Sequence, residues 1–325
     1  MTIRAVPGTY LTIQGAVQAA NSGDTVQVQN GTYNETILIY QNDLSQNLNN
    51  LTVQAMGTSV IVDGTGKNDS GFRIGNGTNP ITGTIIDGFN IRNMLGINAC
   101  GVRADANSCN SNTVKNCTIS NVNSQGVYIN GTNAVVEKNK ISKSLTSYGI
   151  SAGAGTPSNS LIQYNICNNN ALDGIFINGN SNSIQNNLSM YNGDFSEHGI
   201  DVNGNSNIMD SNRCIGNASD GINVYGDTNT IKNNWCERNG VDGIDIDGDN
   251  GVGNNVIDYN VCRFNGGEGI EVSTASNTTT VTNNISQWNT HRDYVKSSGS
   301  NVTASNNISS DDSEDFSYTP KIDSW

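Results

Sequence analysis

Seven carboxylates, one histidine and several aromatic residues recur at matched places in a repeated phrase, and their types suit proton transfer on a sugar or the binding of a hard cation. The phrase reads LDGIFING (Leu172 to Gly179), EHGIDVNG (Glu197 to Gly204), SDGINVYG (Ser219 to Gly226), VDGIDIDG (Val241 to Gly248) and GEGIEV (Gly267 to Val272). In Gly-Ile-x-(Ile/Val) the apolar residues alternate with a variable one, the pattern of a strand with one buried face. The x residues then form an outward column: Arg103, Tyr128, Ser151, Phe176, Asp201, Asn223, Asp245 and Glu271. The residues just before each glycine form a second column: Gln125, Tyr148, Asp173, His198, Asp220, Asp242 and Glu268.

Asp before Gly is a common turn former, because its side chain bonds nearby backbone. That accounts for Asp173, Asp220 and Asp242 as well as a catalytic role does. It accounts poorly for Asp201, Asp245 and Glu271, which stand mid-strand, where Asp is depleted and stacked like charges repel. Carboxylates held so close have raised pKa values, as an acid/base pair or a cation site requires. Asp245 and Glu271 fall on adjacent coils, near the ~5 Å separation of a retaining glycosidase. Asp201 and Asp245 lie two coils apart, near the ~9 Å of an inverting one. Glycan hydrolysis by two carboxylates among Asp201, Asp220, Asp242, Asp245 and Glu271, assisted by His198, is therefore the first expectation. Arg103, Tyr128, Phe176, Asn223, Tyr225 and Glu268 are the candidate sugar contacts. Asp245, Asp247 and Asp249 offer oxygens at alternate positions, the start of a Ca²⁺ loop without the Glu at its twelfth place. No cofactor is required, and Ca²⁺ is the one ion for which ligands are offered.

The elements that position these groups follow from the period. The phrase glycines Gly126, Gly149, Gly174, Gly199, Gly221, Gly243 and Gly269 are 23, 25, 25, 22, 22 and 26 residues apart. A second phrase, Asn-x-(Ile/Cys/Ser), keeps the same beat at Asn139, Asn165, Asn187, Asn212, Asn234, Asn260, Asn284 and Asn307. Short strand phrases, a period in the low twenties and polar turns specify an all-β solenoid. A solenoid grows along one axis, so all 325 residues fit one domain: a cap with the first strands over 1–40, coils over 41–309 and a tail over 310–325. In the cap, Ile13, Ala16, Val17 and Ala20 share one face of a short helix that Thr9 or Thr12 caps, before a strand with Val26 and Val28. LTVQA, SVIVDG, GFRIG and TIIDGFNIRN are strand candidates of the less regular early coils, and ADANSCNSNT (104–113) reads as a loop.

The Gly-Ile-x-Ile coils and the Asn slots resemble the right-handed parallel β-helix proteins of the pectate-lyase-like superfamily, over nearly the whole chain. That resemblance implies Asn ladders at the bends and leaves open lyases, hydrolases, epimerases, tailspikes and surface proteins. DGIDI (Asp242 to Ile246) is similar to the polygalacturonase strand that carries catalytic aspartates, although the Asp-Asp pair of that family is absent here. SYGI, LDGI and HGI on consecutive coils resemble mannuronan C5-epimerases and alginate lyases, which implies proton abstraction and return by Tyr148, Asp173 and His198. Those enzymes follow Tyr-Gly-Phe with Asp-Pro-His-Glu, where this chain has Ser151-Ala152-Gly153-Ala154.

A net charge of −13, from 29 acidic and 16 basic residues, excludes nucleic acid and anionic membranes as partners. No apolar run is long enough to span a bilayer, and Met1 to Pro7 lacks the core of a signal peptide. The expected partner is a polysaccharide, met outside the cell or at its surface; monomer and trimer both stay open, as does a non-catalytic surface or fibre protein. Cys167, Cys214, Cys236 and Cys262 share one inward slot with Ser189, Ser286 and Ser309. Parallel Cβ vectors rarely allow the disulfide torsion, so a column of reduced, buried thiols is expected.

Overall fold

A computed structural model describes residues 1–40, 46–76, 80–105, 109–152, 159–247, 253–273, 277–296 and 300–311. Three all-parallel sheets of 13, 12 and 11 strands run through these residues, and each coil gives one strand to each sheet in turn. Among the described residues one short helix accompanies them. Helix α1 (Ile13–Gln18) is capped by Thr12, whose side chain accepts from the Gly15 N–H, and it buries Ile13, Ala16 and Val17 over the first coil. No helix among the described residues is long and apolar enough to cross a membrane. The strand candidates fall on Thr52–Ala55, Val60–Asp63 and Phe72–Ile74, while TIIDGFNIRN divides into two strands, Ile85–Asp87 and Asn90–Met94. Of the loop at 104–113, residues 106–108 lie outside the described set, as does most of the 310–325 tail.

The core is built from stacked identical positions. Ile175, Ile200, Ile222, Ile244 and Ile270 are in register on successive coils and all are fully buried. Strands buried this way need no sequence alternation beyond one inward residue in two. The phrase glycines are required by close approach: a Cβ at Gly199, Gly221 or Gly243 would lie 2.6, 2.5 or 2.5 Å from the carbonyl oxygen of the next coil. Cys214, Cys236 and Cys262 stack in register, and all seven cysteines are buried. Burial pushes the Cys117 thiol up to about 12, so that thiol acts as a small hydrophobe.

The polar bends are held by amide ladders. Asn212 Oδ1 accepts from the backbone N–H and Nδ2 of Asn187 on the preceding coil, and its own Nδ2 donates to Ile184 O and Asn234 Oδ1. The same pattern runs from Asn139 to Asn307. Two further ladders lie beside it, Asn170–Asn192–Asn217–Asn239–Asn265–Asn289 and Asn182–Asn207–Asn229–Asn255.

Candidate active site on the third sheet

The x column is assembled as the repeat predicts. Registers align Arg103, Tyr128, Ser151, Phe176, Asp201, Asn223, Asp245 and Glu271 on consecutive strands of the 11-stranded sheet. The column is not uniformly exposed, however: Ser151 and Asn223 are 2% exposed and Asp201 is 8%. At a strand spacing of ~4.8 Å, long neighbours in a column roof the short ones.

Of the column before glycine, three aspartates do backbone work. Asp173 Oδ1 accepts from the His198 N–H at 2.6 Å, Asp220 Oδ1 from the Asp242 N–H at 2.7 Å and Asp242 Oδ1 from the Glu268 N–H at 2.6 Å. Each aspartate thus ties its coil to the next, rather than bonding within its own turn. Tyr148 is stacked on Phe176, ring centroids 4.6 Å apart. Arg103 lies over Tyr128 and shares the Asp105 carboxylate with Arg73. The Tyr225 hydroxyl is pushed up to about 12 by burial and by its hydrogen bond with Asp247. Glu268 faces the exposed His291 at 3.5 Å.

Two centres emerge. In the first, His198 Nδ1 lies 3.0 Å from Asp220 Oδ2, and Nε2 faces the Asn223 amide at 3.4 Å. Burial opposes a charged imidazole, but the Asp220 hydrogen bond and charge prevail and raise its pKa. Burial, and then the Asp201 charge, push Asp173 up to about 8; burial pushes Asp201 to about 6. In the second centre, one oxygen each of Asp242, Asp245 and Glu271 lie within 4.8 Å of one another. Burial raises Asp245 to about 9, with Asp220, Glu271, Asp242 and Asp247 adding like charge. Burial and Asp220 raise Asp242 to about 8, and burial raises Glu271. Oxygens on one Ca²⁺ stand no further apart than twice a bond of ~2.3–2.6 Å, so these three are the groups that could share a cation. Of the expected set Asp245, Asp247 and Asp249, Asp249 lies outside the described residues; among the described residues, Asp242 of the turn and Glu271 of the next coil gather with Asp245.

These shifts fix the sign of a pH effect. Asp173, Asp201, Asp242 and Asp245 hold protons when folded that the unfolded chain releases above its ordinary carboxyl pKa, so stability falls as pH rises from about 4 to 9. The raised His198 acts in the same direction. Asp24 acts oppositely: despite burial, hydrogen bonds from Arg4, Asn21 and Thr2 hold it at about 2, and its contribution is lost only in acid. The melting temperature is therefore expected to be highest near pH 4 and to drop steadily by pH 9, a loss on the order of several kcal/mol. Thermal melts across that range check it; a flat profile contradicts the burial of these carboxyls.

Residues 184–309 match the family described as a right handed beta helix region. The chain is a right-handed parallel β-helix. No curated protein matches its sequence. Among solved structures, this β-helix is similar to the A-module of mannuronan C-5 epimerase AlgE6 from Azotobacter vinelandii, with TM-score 0.72, 16% identity and 92% and 94% of the two chains covered. It is also similar to the catalytic unit of the GH87 α-1,3-glucanase of Streptomyces thermodiastaticus, with TM-score 0.60, 15% identity and coverage of 98% and 69%. PfbA, a surface adhesin of Streptococcus pneumoniae, superposes with TM-score 0.65 at 14% identity over 91% and 86%. Identities this low carry the fold and leave the chemistry to the site.

Proposed function

We propose that this β-helix cleaves a polysaccharide by hydrolysis, with Asp245 as the acid and Glu271 as the nucleophile. The observation that carries the reading is their placement: adjacent strands, outward face, oxygens within 4.8 Å. A retaining glycosidase holds its carboxyls ~5–5.5 Å apart and needs their pKa values separated. Asp245 is kept protonated through neutral pH, ready to protonate the glycosidic oxygen. Glu271, bonded by the Ser273 hydroxyl at 3.1 Å, is the more easily ionised partner. Asp242, 3% exposed and bonded to the Glu268 N–H, raises Asp245 without touching a sugar. Asp201, separated from Asp245 by Asn223, offers the wider, inverting pair. Tyr148, Phe176, Tyr128 and Arg103 continue the same face and would hold the glycan. The similarity to a mannuronan epimerase, a glucanase and a surface adhesin supports a polysaccharide met outside the cell.

A second reading rests on His198, whose ring is fixed by Asp220 beside Asp173: proton abstraction at a sugar carbon, with elimination or epimerisation. Incubation with neutral and acidic polysaccharides, with and without Ca²⁺, separates the two. New reducing ends without near-ultraviolet absorbance are expected. Unsaturated ends, or altered sugar composition in uncut chains, would move the chemistry to His198. An absolute need for Ca²⁺ would reassign Asp242, Asp245 and Glu271 to cation binding, and silence across the panel would favour a binding protein.

A further inference from the structure

The acids occupy the third sheet; the second sheet and the turn that follows it carry the opposite character. Two of the chain's three tryptophans, Trp235 and Trp288, lie here. Arg263 is held between them, its guanidinium carbon 5.6 Å from the Trp235 ring and 5.4 Å from the Trp288 ring. Phe264 stacks on Trp288 at 5.1 Å and 20°, and Arg238 lies 5.4 Å over Phe264. Registers put Arg213 beside Trp235. Glu237 is the one acid within the group, anchoring the Trp235 indole N–H at 2.8 Å and pairing with Arg238.

The backbone shows that these side chains are not casual. The end of the second-sheet strand, or the turn just after it, uses one left-handed residue per coil, and in early coils it is Asn121, Lys143 and Asn169 (φ 55, 58 and 53°). Asn accepts that conformation readily; bulky residues do not. From Tyr191 onward the same position holds Tyr191, Gly216, Arg238, Phe264 and Trp288 (φ 53, 63, 55, 58 and 59°). Gly216 makes room for its neighbour, since a Cβ there would come within 2.7 Å of the Tyr191 ring. Tyr191, Phe264 and Trp288 remain 58%, 45% and 54% exposed, so burial does not account for choosing them over Asn. Rings stacked along the coil axis turn their edges to solvent, and ring edges carry the positive end of the quadrupole. Arg263 is committed inward, donating to Gln287 Oε1 at 3.1 Å, whereas Arg238, its face on Phe264 and one N–H on Glu237, keeps a 64% exposed side chain, and Arg213 is exposed beside Trp235; these two arginines present N–H groups that can contact an anion.

We propose that this edge is a second binding surface, for a polysaccharide bearing carboxylate or sulfate groups, laid along the coil axis from Tyr191 to Trp288. It extends over four coil steps, about 19 Å. Three arginines against Glu237, with Asp194 beside Tyr191 at one end, leave the strip net cationic on a chain of net charge −13, so it is a place where an anionic polymer is attracted despite the overall charge. The surface rests on the reading that the protein works on polysaccharides, and not on which bond is cut or by which residues.

The test is affinity electrophoresis at low salt through gels containing a soluble polyuronate, a sulfated glycan or a neutral glucan, with tryptophan fluorescence titrations alongside. Retention by one or both anionic polymers, not by the glucan, is expected, with weakening as salt rises and a change in tryptophan emission. Arg238→Glu, at an exposed position, and Trp288→Ala should each weaken retention at least about tenfold, while cutting of short soluble oligosaccharides is unchanged. Retention equal for all three polymers, retention unmoved by both variants, or no retention by either anionic polymer overturns the proposal. Asp245→Asn and Glu271→Gln separate it from the site: retention lost with those variants but not with Arg238→Glu sinks the second surface alone. Retention kept with no bond cleaved in any polymer sinks the hydrolytic reading alone.

Discussion

Asp245→Asn is expected to lower the rate of glycan cleavage by about 10²- to 10⁴-fold while raising the melting temperature at pH 8. The two outcomes share one cause. Asp245 is held protonated by burial and by the carboxylates Asp220, Glu271, Asp242 and Asp247 around it, and one of its oxygens is buried without a hydrogen-bond partner. A proton so placed is available to a leaving oxygen, and the folded chain is penalised for keeping it there as pH rises. The amide keeps the shape, removes the acid and never ionises, so the penalty disappears with the activity. The wild-type rate should fall as pH passes about 9, where Asp245 loses its proton, and rise from the acid side as Glu271 ionises above the ordinary Glu value. Glu271→Gln should cost a comparable factor in rate and move the alkaline limb of whatever activity remains to lower pH, because the Glu271 charge is one of those that raise Asp245. The measurements are initial rates of reducing-end release from pH 5 to 10 and thermal melts of the same samples. Undiminished cleavage by Asp245→Asn would remove it as the acid, and a lowered melting temperature at pH 8 would show that its role is structural.

The repeat makes register legible, because residues 22 to 35 apart in sequence become direct neighbours and a column can be read down the sequence. That is why the Gly-Ile-x-Ile face, the thiol column and the Asn139-to-Asn307 ladder are visible without coordinates. The other two ladders were legible as well: Asn182 and Asn187, Asn187 and Asn192, Asn207 and Asn212, Asn212 and Asn217 are all five residues apart, a signal that attention to one phrase passes over. Side-chain direction is less accessible. Asp173, Asp220 and Asp242 look like local turn formers, yet each reaches the N–H of the next coil, because coil spacing puts that donor as near as any in its own turn. Asp242 therefore meets Asp245 and Glu271 from a position that the strand alternation assigns to the bend. The aromatic and arginine ladder escapes sequence reading for another reason: Tyr191, Arg238, Phe264 and Trp288 sit where the pattern calls for Asn or Gly, and only the backbone dihedrals show that they occupy one column.

Asn212→Ala should destabilise the protein by about 3–6 kcal/mol, since three groups lose a partner at about 1–3 kcal/mol each. The Asn187 N–H and Nδ2 lose their acceptor, and Ile184 O loses its donor, all at positions buried from water. No water reaches the bend to replace the amide, and neighbouring coils cannot close over the gap because the ladder repeat fixes their spacing. Asn212→Asp, nearly the same shape, should be no milder near neutral pH: it keeps the acceptor but turns a second oxygen toward Ile184 O and Asn234 Oδ1, where a donor is required. Asn307→Ala at the end of the ladder, where Asn307 serves only Asn284 and Val281 O and lies half-buried, should cost markedly less. Stability in a solenoid is a sum of coil and interface terms. A weak interface at its middle should therefore divide unfolding into two transitions, whereas a weak one at its end should only fray the last coil. Urea denaturation followed by circular dichroism distinguishes these outcomes, and equal losses for Asn212→Ala and Asn307→Ala would show that the ladder holds the coils less than their apolar stacks do.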